Sequence, residues 1–365
     1  MVVVGENRGL VNVGQRPRPL FVGLPAPLAR PVVGREVELD LLRTRLCAKS
    51  SRRSALAGLP GAGKTALATA LVYSGAAREH FHGGILWVGL GPKPDLDSVF
   101  GRLASILDLD ISEEASPSTK AQSVATALQL RVDGEPVLLV VDDVWAWDHA
   151  RPFLDITFPG CSHLVTTRDA AIARMFADEV TALGELSLER STMFLAERCP
   201  KAYESDPGAL RDLVTAVGGL PLALTLIATT LNDHSGQEKW VRDEIRRLKA
   251  AEARLALTLP EDRQGLEGVT PTLRAIVEMS VQCLVEDLAS AFDTLGAMAP
   301  KPANFSRDSA LALWGVWSSV NNAVAYDPEL EASADDLLRI LVDRSLIETA
   351  GEGRFAIHQD GMAKD

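Results

Sequence analysis

The stretch that most limits what this chain can become is Ser54 to Ala70, SALAGLPGAGKTALATA. Its apolar opening, Ala55 to Ala57, predicts a short buried strand, and the run of Ala and Leu after Thr65 predicts a helix. Between them Gly58 to Thr65 fits GxxxxGK(S/T), in the strand–loop–helix setting that pattern requires. Glycines at such positions let successive backbone N–H groups turn inward around phosphate oxygens, with no Cβ in the way. The helix opening near Lys64 adds its unpaired N–H groups and the positive end of its dipole. In this reading Lys64 bridges the outer phosphates and Thr65 offers its hydroxyl to Mg²⁺. A glycine-rich turn that fits by chance is the competing reading, and the flanking strand and helix argue against it.

At 365 residues the chain is too long for one ordinary domain, and two or three are expected. A net charge of −12 disfavours a nucleic-acid binder, because phosphate contacts dominate such affinity. Cys47, Cys161, Cys199 and Cys283 show no CxxC spacing and read as ordinary thiols of a reducing compartment. The longest apolar stretch, Leu220 to Leu231, is short for a bilayer and contains Pro221. MVVVGENRGLVNV lacks the sustained apolar run of a secretory signal. A cytoplasmic protein without membrane attachment is expected.

In chain order, residues 1–30 are rich in Pro, Gly, Arg and Val and predict an extended arm or linker. A nucleotide-binding α/β domain is expected over residues 31–185. It starts with a helix from Glu36 and has buried strands at Gly83–Leu90, Val137–Val141, Ser162–Thr167 and Glu179–Leu183. Strands alternate with helices at Leu96–Leu107 and Lys120–Leu130, which predicts a doubly wound parallel sheet. Strand signals then vanish. A small helical domain is expected over 186–265, interrupted at Pro207 and at the turn Gly218–Gly219–Leu220–Pro221. Residues 266–365 carry further helices, to Leu295, from Arg307 to Trp314 and over Ala332 to Arg344. SLIETA and RFAIH around Gly351–Glu352–Gly353 read as a hairpin, so this last portion is expected to be a winged helix.

Asp142 and Asp143 end the strongest strand, where a parallel sheet delivers side chains to its carboxyl edge. One carboxylate would hold a hydrated metal ion and the other would orient or deprotonate an attacking water. Asp is also common in ordinary turns after strands, and only its pairing with the glycine loop favours chemistry. Arg168 ends the next strand and is placed to face a terminal phosphate, although strand-end arginines are more often plain surface residues. Pro221 has an equally ordinary reading as a helix-start proline. A lone His358 on the last strand reads first as a structural residue, and Trp87, Trp145 and Trp147 as core or edge aromatics.

The motifs form an ordered set. VVGRE (Val32–Glu36), GLPGAGKT, VLLVVDDVW, LVTTRD (Leu164–Asp169), GGLPLAL (Gly218–Leu224), EMSVQCL, LVDRSLI and FAIHQ (Phe355–Gln359) run from about residue 31 to 360. The chain thereby resembles the NB-ARC class of STAND nucleotide switches, shared by apoptosome scaffolds, plant disease-resistance proteins and many bacterial multidomain proteins. The resemblance implies a nucleotide domain, a small helical domain and a winged helix closed over ADP. It implies Val33 and Arg35 on the adenine side, and Pro60, Gly61, Ala62, Gly63, Lys64, Thr65 and Ala66 around the phosphates. Asp142 joins Thr65 at the metal, Arg168 senses the γ-phosphate and Pro221 lies against the adenine or ribose. His358 corresponds to the His of the family's Met-His-Asp motif, which reaches the ADP β-phosphate. Its neighbours here are Ile357 and Gln359, a departure that weakens the expected lock.

Two functions compete. In the first, the chain is a switch: ADP holds it shut, ATP opens it for self-association, and slow hydrolysis with Asp143, Lys64 and Arg168 resets it. Effector and sensor regions are then expected outside this chain. In the second, the chain is a transcription regulator whose winged helix reads DNA. From Phe292 to His358 five basic residues face ten acidic ones, a net −5, so nucleic acid is an unlikely partner for that segment. A fast remodelling ATPase is disfavoured, because no arginine finger acting in trans is identifiable.

Overall fold

The computed structural model describes residues 18–47, 52–112, 114–217, 219–233, 286–295, 298, 304–314, 317–320, 323–326, 328–343, 347–349 and 353–357. Six parallel strands form its main sheet: β1 (Leu20–Val22), β2 (Arg53–Gly58), β3 (Gly84–Gly91), β4 (Val137–Val144), β5 (Cys161–Thr167) and β6 (Glu179–Leu183). Their order across the sheet is β1-β3-β4-β5-β2-β6, so β5 lies between the glycine-loop strand β2 and the acidic strand β4.

The alternation of residues along each strand explains the two core layers. In β4, Val137, Leu139 and Val141 face one apolar cluster, while Leu138 and Val140 face the other. The first cluster takes in helices α4 (Leu96–Ile106), α5 (Pro117–Val132) and α7 (Ala170–Phe176), and the second α1 (Glu36–Cys47), α2 (Lys64–Val72) and α3 (Gly75–His80). A sheet covered on both faces requires near-continuous apolar strands. The expected doubly wound sheet is therefore present, and its carboxyl edge carries the glycine loop. After β4 a single-turn helix, α6 (Trp147–Ala150), and a 3-10 turn (Arg151–Asp155) lead towards β5.

Leu20–Val22 lies inside the stretch expected as an arm or linker. It docks as an edge strand, with Leu20, Phe21 and Val22 beside Gly84, Ile85 and Leu86. Three residues between prolines carry no periodic signal, and an edge strand tolerates proline nearby. Gly84 permits the approach, because a Cβ there would lie 2.1 Å from the Leu20 carbonyl oxygen.

After β6 come α8 (Leu188–Arg198), α9 (Pro200–Ser205), α10 (Pro207–Val217) and α11 (Pro221–Asp233). Further on, the described residues hold α12 (Glu286–Leu295), α13 (Arg307–Leu313) and α14 (Pro328–Asp343), with strands β7 (Phe305–Ser306), β8 (Trp317–Val320), β9 (Ala323–Tyr326), β10 (Ile347–Thr349) and β11 (Arg354–Ile357). The expected hairpin is β10 antiparallel to β11, and β7 adds a third strand to it. β8 and β9 form a separate hairpin that the sequence reading did not anticipate. One apolar cluster runs from Leu195, Leu213 and Ile227 to Phe292, Leu338 and Ile347, so α8–α11 and these later helices share a core. The expected loop at TLPEDRQGLEGVTP, the helix start at Thr272, Cys283 and His358 lie outside the described residues.

Candidate functional site

β2 ends at Gly58, and α2 begins at Lys64 after a loop with two residues at positive φ, Gly61 (+72°) and Gly63 (+87°). That left-handed conformation strains any residue with a Cβ, which accounts for both glycines. Gly58 has a different reason: a Cβ there would lie 2.1 Å from the Leu183 carbonyl oxygen on β6. Gly63 caps α2 without a side-chain hydrogen bond, so the first turn presents backbone N–H groups with no capping side chain over them. Such a helix start suits a phosphate-bearing ligand. Pro60 and Ala62 are buried, and Ala66 is half-buried in the first turn of α2.

Lys64 is only 8 % exposed. Its Nζ donates to the carbonyls of Gly58 and Leu59, both at 2.9 Å, which holds the ammonium against the loop itself. Thr65 Oγ1 donates to Asp142 Oδ1 at 3.0 Å and lies 3.3 Å from Oδ2, across a separation of 77 residues. A hydroxyl and a buried carboxylate side by side form an oxygen pair suited to a hard divalent cation. The residues present therefore fit the nucleotide and the metal that the loop implies.

Strand β4 does not stop before its acidic pair but bulges through it. Val141 pairs with Val165 and Val144 with Thr167, leaving Asp142 and Asp143 opposite the single residue Thr166. Asp143 takes a positive φ of 55°, a conformation Asp tolerates better than most residues. Thr166 Oγ1 donates to Asp142 Oδ1 at 2.6 Å and accepts from the Asp143 N–H at 2.9 Å. Thr167 Oγ1 donates to the Val144 carbonyl at 2.7 Å, closing the far end of the bulge.

Arg168 is half-buried, and its guanidinium lies over the Trp145 ring, 4.3 Å from the centroid. This is a cation–π contact. Trp145 is 40 % exposed and belongs to the site's margin, unlike the core residue Trp87.

Pro221 opens α11 beside the loop. A Cβ on Gly63 would sit 4.0 Å from its Cβ and Cγ, and the next N–H, of Leu222, donates to the Gly61 carbonyl at 3.2 Å. The preceding turn is pinned by Leu186 N–H donating to Gly219 O at 2.9 Å. Val33 is half-buried against the helical core. Arg35 is buried and occupied with protein groups: Glu38 Oε1 at 3.2 Å, the Ala62 carbonyl at 3.4 Å and the Gly184 carbonyl. Arg190 on α8 donates to the Gly34 carbonyl at 3.1 Å and lies 3.5 Å from Glu38 Oε1.

The structure thus gathers Pro60 to Ala66, Asp142, Asp143 and Pro221 around one loop, with Arg168 at the end of the intervening strand. Sequence reasoning passed over Thr166, Glu38, Arg190 and the Leu222 N–H, and read Trp145 as a core or edge aromatic. Only Thr166 had a usable signal, since VVDD and VTTR become neighbours once β4 and β5 are paired. Among the thiols, burial pushes Cys161 and Cys199 up to about 12, which keeps them protonated. Among the described residues no helix is long and apolar enough to cross a membrane.

Comparison with known proteins agrees with this geometry. Residues 35–197 match the model of the NB-ARC domain. The regulatory protein AfsR of Streptomyces griseus is 31% identical over 374 residues, covering 98% of this chain and 34% of that protein. The disease resistance protein SUMM2 of Arabidopsis thaliana is 26% identical over 259 residues, covering 68% of this chain and 27% of the relative. The chain thus spans about a third or less of the length of these relatives. Among solved structures, a STAND protein with a tetratricopeptide repeat sensor from Pyrococcus horikoshii shares the fold. Its TM-score is 0.55 at 14% identity, over 93% of this chain and 42% of that one.

Proposed function

We propose that this chain, a member of the NB-ARC class of STAND P-loop NTPases, is an adenine-nucleotide switch: ADP favours a closed form, and exchange for ATP releases it for self-association. The observation that carries the proposal is the bond from Leu222 N–H to the Gly61 carbonyl, which ties helix α11 to the loop that would hold phosphates. Whatever moves that loop by a fraction of an ångström is felt at the start of α11. Signal input and effector output belong to regions or partners outside these residues, and the site of action is the cytoplasm.

Each residue has a part in this reading. Lys64 exchanges its carbonyl partners for phosphate oxygens, neutralising charge in a half-dry site. Thr65 and Asp142 would hold Mg²⁺, which when bound would screen phosphate charge. Asp143 orients a water for slow hydrolysis, and Arg168 leaves the Trp145 face to meet the terminal phosphate. Pro221 and Val33 border the base and ribose, with Arg35 bracing the loop through Ala62. His358 supplies a closing contact to the diphosphate from the C-terminal portion, read here as a winged helix.

The test begins with the nucleotide released on denaturing freshly purified protein. Stoichiometric ADP is expected, and an empty site that exchanges freely would refute a closed resting state. His358→Ala should then speed release of a fluorescent ADP analogue, and equal rates would remove His358 from the mechanism. A second reading, a regulator of transcription, draws on the likeness to a protein named as regulatory over 98% of this chain. The net −5 between Phe292 and His358 turns that reading towards DNA contacts made elsewhere. Salt-dependent DNA binding by the 365-residue chain alone would revive the winged helix as a reader.

A further inference from the structure

We infer that Thr166 is the positioning residue that assigns the two adjacent carboxylates their separate roles. The inference rests on the nucleotide-and-metal reading of the site, and it concerns a side chain that makes no contact with ligand in that reading.

The strand register creates the problem that Thr166 solves. In a regular parallel ladder, Asp142 and Asp143 would point to opposite faces of the sheet, and only one would reach the carboxyl-edge crevice. The extra residue in β4 breaks this alternation, and Asp143 pays for the bulge with a positive φ of 55°. A bulge leaves ladder groups without their regular partners. Here the N–H of Asp143 finds the Thr166 hydroxyl at 2.9 Å instead. The same hydroxyl has one proton, which it gives to Asp142 Oδ1 at 2.6 Å. One side chain therefore fixes the backbone of one acid and the carboxylate of the other.

The arrangement is also polarised. Asp142 Oδ1 accepts from both Thr166 at 2.6 Å and Thr65 at 3.0 Å, and the Thr65 hydroxyl lies farther from Oδ2, at 3.3 Å. When the Thr65 hydroxyl turns towards a cation, the Thr166 bond still holds Oδ1. Thr166 is itself buried at 1 % exposure, between strands whose positions the sheet fixes. Its rotamer is thus set by packing rather than by ligand. Groups that orient a metal ligand in this way commonly govern metal affinity by about ten- to a hundredfold.

The test compares the 365-residue chain with its Thr166→Val and Thr166→Ser variants. Val keeps the shape and loses the hydroxyl, and Ser keeps the hydroxyl. Mn²⁺ binding is followed by electron paramagnetic resonance in the presence of ADP, and ADP binding is measured separately in EDTA. Thr166→Val should weaken Mn²⁺ about ten- to a hundredfold and leave metal-free ADP affinity within about threefold. Thr166→Ser should restore metal affinity to within about threefold of wild type. Hydrogen exchange at the Asp143 amide, read without any ligand, should accelerate in the Val variant and not in the Ser variant. If Thr166→Val does not fold, Thr166→Ala takes its place with the same expectations. Wild-type Mn²⁺ affinity in the Val or Ala variant overturns the inference, as does a Ser variant as weak as Val. Equal loss of metal-free ADP binding also overturns it, because the hydroxyl would then act through general stability. If the wild-type chain binds ADP but no Mn²⁺, the metal reading itself fails and takes this inference with it.

Discussion

Replacing Lys64 by Met separates what that residue does for the fold from what it does for a ligand. In the structure its ammonium is almost fully buried and donates to two loop carbonyls at 2.9 Å. Bonds from a charged donor are worth about 1.5–3 kcal/mol each, but burying the ammonium costs several kcal/mol. The two sides nearly cancel, and Met fills a similar volume. Stability without nucleotide should therefore change by no more than about 1 kcal/mol. Binding behaves differently, because a bound phosphate supplies the opposite charge. Losing one charge-assisted bond lowers affinity by about 1.5–3 kcal/mol, or about ten- to a hundredfold. At an ADP concentration of about one hundred times the wild-type Kd, ligand stabilises the wild type by about 2.7 kcal/mol. A hundredfold weaker variant gains only about 0.4 kcal/mol at the same concentration. For a cooperative unit of about 150–250 residues these become Tm rises of about 5–11 °C and about 1–2 °C. Differential scanning calorimetry with and without ADP reads both quantities. An undiminished ADP-induced rise in Lys64→Met would show that the loop is not the site. A large loss of stability without ADP would show that Lys64 is chiefly a structural brace.

Other consequences are as direct. Asp143→Gly relieves the left-handed backbone by about 1 kcal/mol and removes the carboxylate, so ATP binding should persist while turnover falls. Comparable loss of ATP affinity in Asp142→Ala and Asp143→Gly would contradict that division of labour. Gly219→Ala adds strain at φ +71° and a Cβ 2.3 Å from the Leu186 carbonyl oxygen. It should destabilise the α8–α11 turn by about 2–4 kcal/mol and speed hydrogen exchange at the start of α11, and unchanged exchange would refute it. Burial pushes His163 down to about 4, and its Nε2 donates to the Phe153 carbonyl at 3.2 Å. The unfolded chain, with an ordinary His, binds the proton first. The stability this neutral imidazole contributes is full above about pH 6.5 and is lost as pH falls through 4. Denaturant titrations should show about 2 kcal/mol of it lost between pH 6.5 and 5, and His163→Gln should flatten that slope.

What was legible in the sequence, and what was not, follows from the range of the contacts involved. β3 to β6 were readable because a sheet covered on both faces writes unbroken apolar runs into the chain, as in Val137–Val141. Leu20–Val22 was not, because it is set by distant contacts such as its pairing with Gly84–Leu86, and three residues between prolines carry no period. The short turns after Val144 have too few residues to show one either. At the site, Lys64, Thr65 and Asp142 belong to local patterns whose residue types follow from phosphate and cation chemistry. Thr166 escaped because its role depends on a register between β4 and β5, and on a bulge that no single strand announces. Leu222 escaped for a deeper reason: it acts through its backbone N–H, which every residue except proline carries. Arg35 was singled out, yet its partners in the structure are Glu38 and two carbonyls, and these could not be read from a five-residue motif.

Two kinds of contact meet at the glycine loop, and their unequal strength suits them to different tasks. Asp142, Asp143 and Thr166 are held by β4 and β5, adjoining strands of a sheet packed on both faces, and they cannot separate unless that sheet breaks, while Thr65 meets them from the first turn of α2. The polar seam from the loop side to α8 and α11 is slighter. It contains the Leu222–Gly61 backbone bond and the Arg190–Glu38 pair, in which the Arg190 side chain is 38 % exposed. A net backbone bond is worth about 0.5–1.5 kcal/mol and an exposed ion pair about 0–1 kcal/mol, so these two contacts, beside the Arg190 bond to the Gly34 carbonyl, supply about 0.5–2.5 kcal/mol. A ligand shifts an equilibrium only by the difference in its affinity for the two forms. One phosphate contact made in a single form supplies about 1.5–3 kcal/mol, the same size as those two contacts. In the proposed switch, the sheet therefore keeps the chemistry in register, and the boundary at Gly61 and Pro221 is where the identity of the nucleotide can be turned into movement.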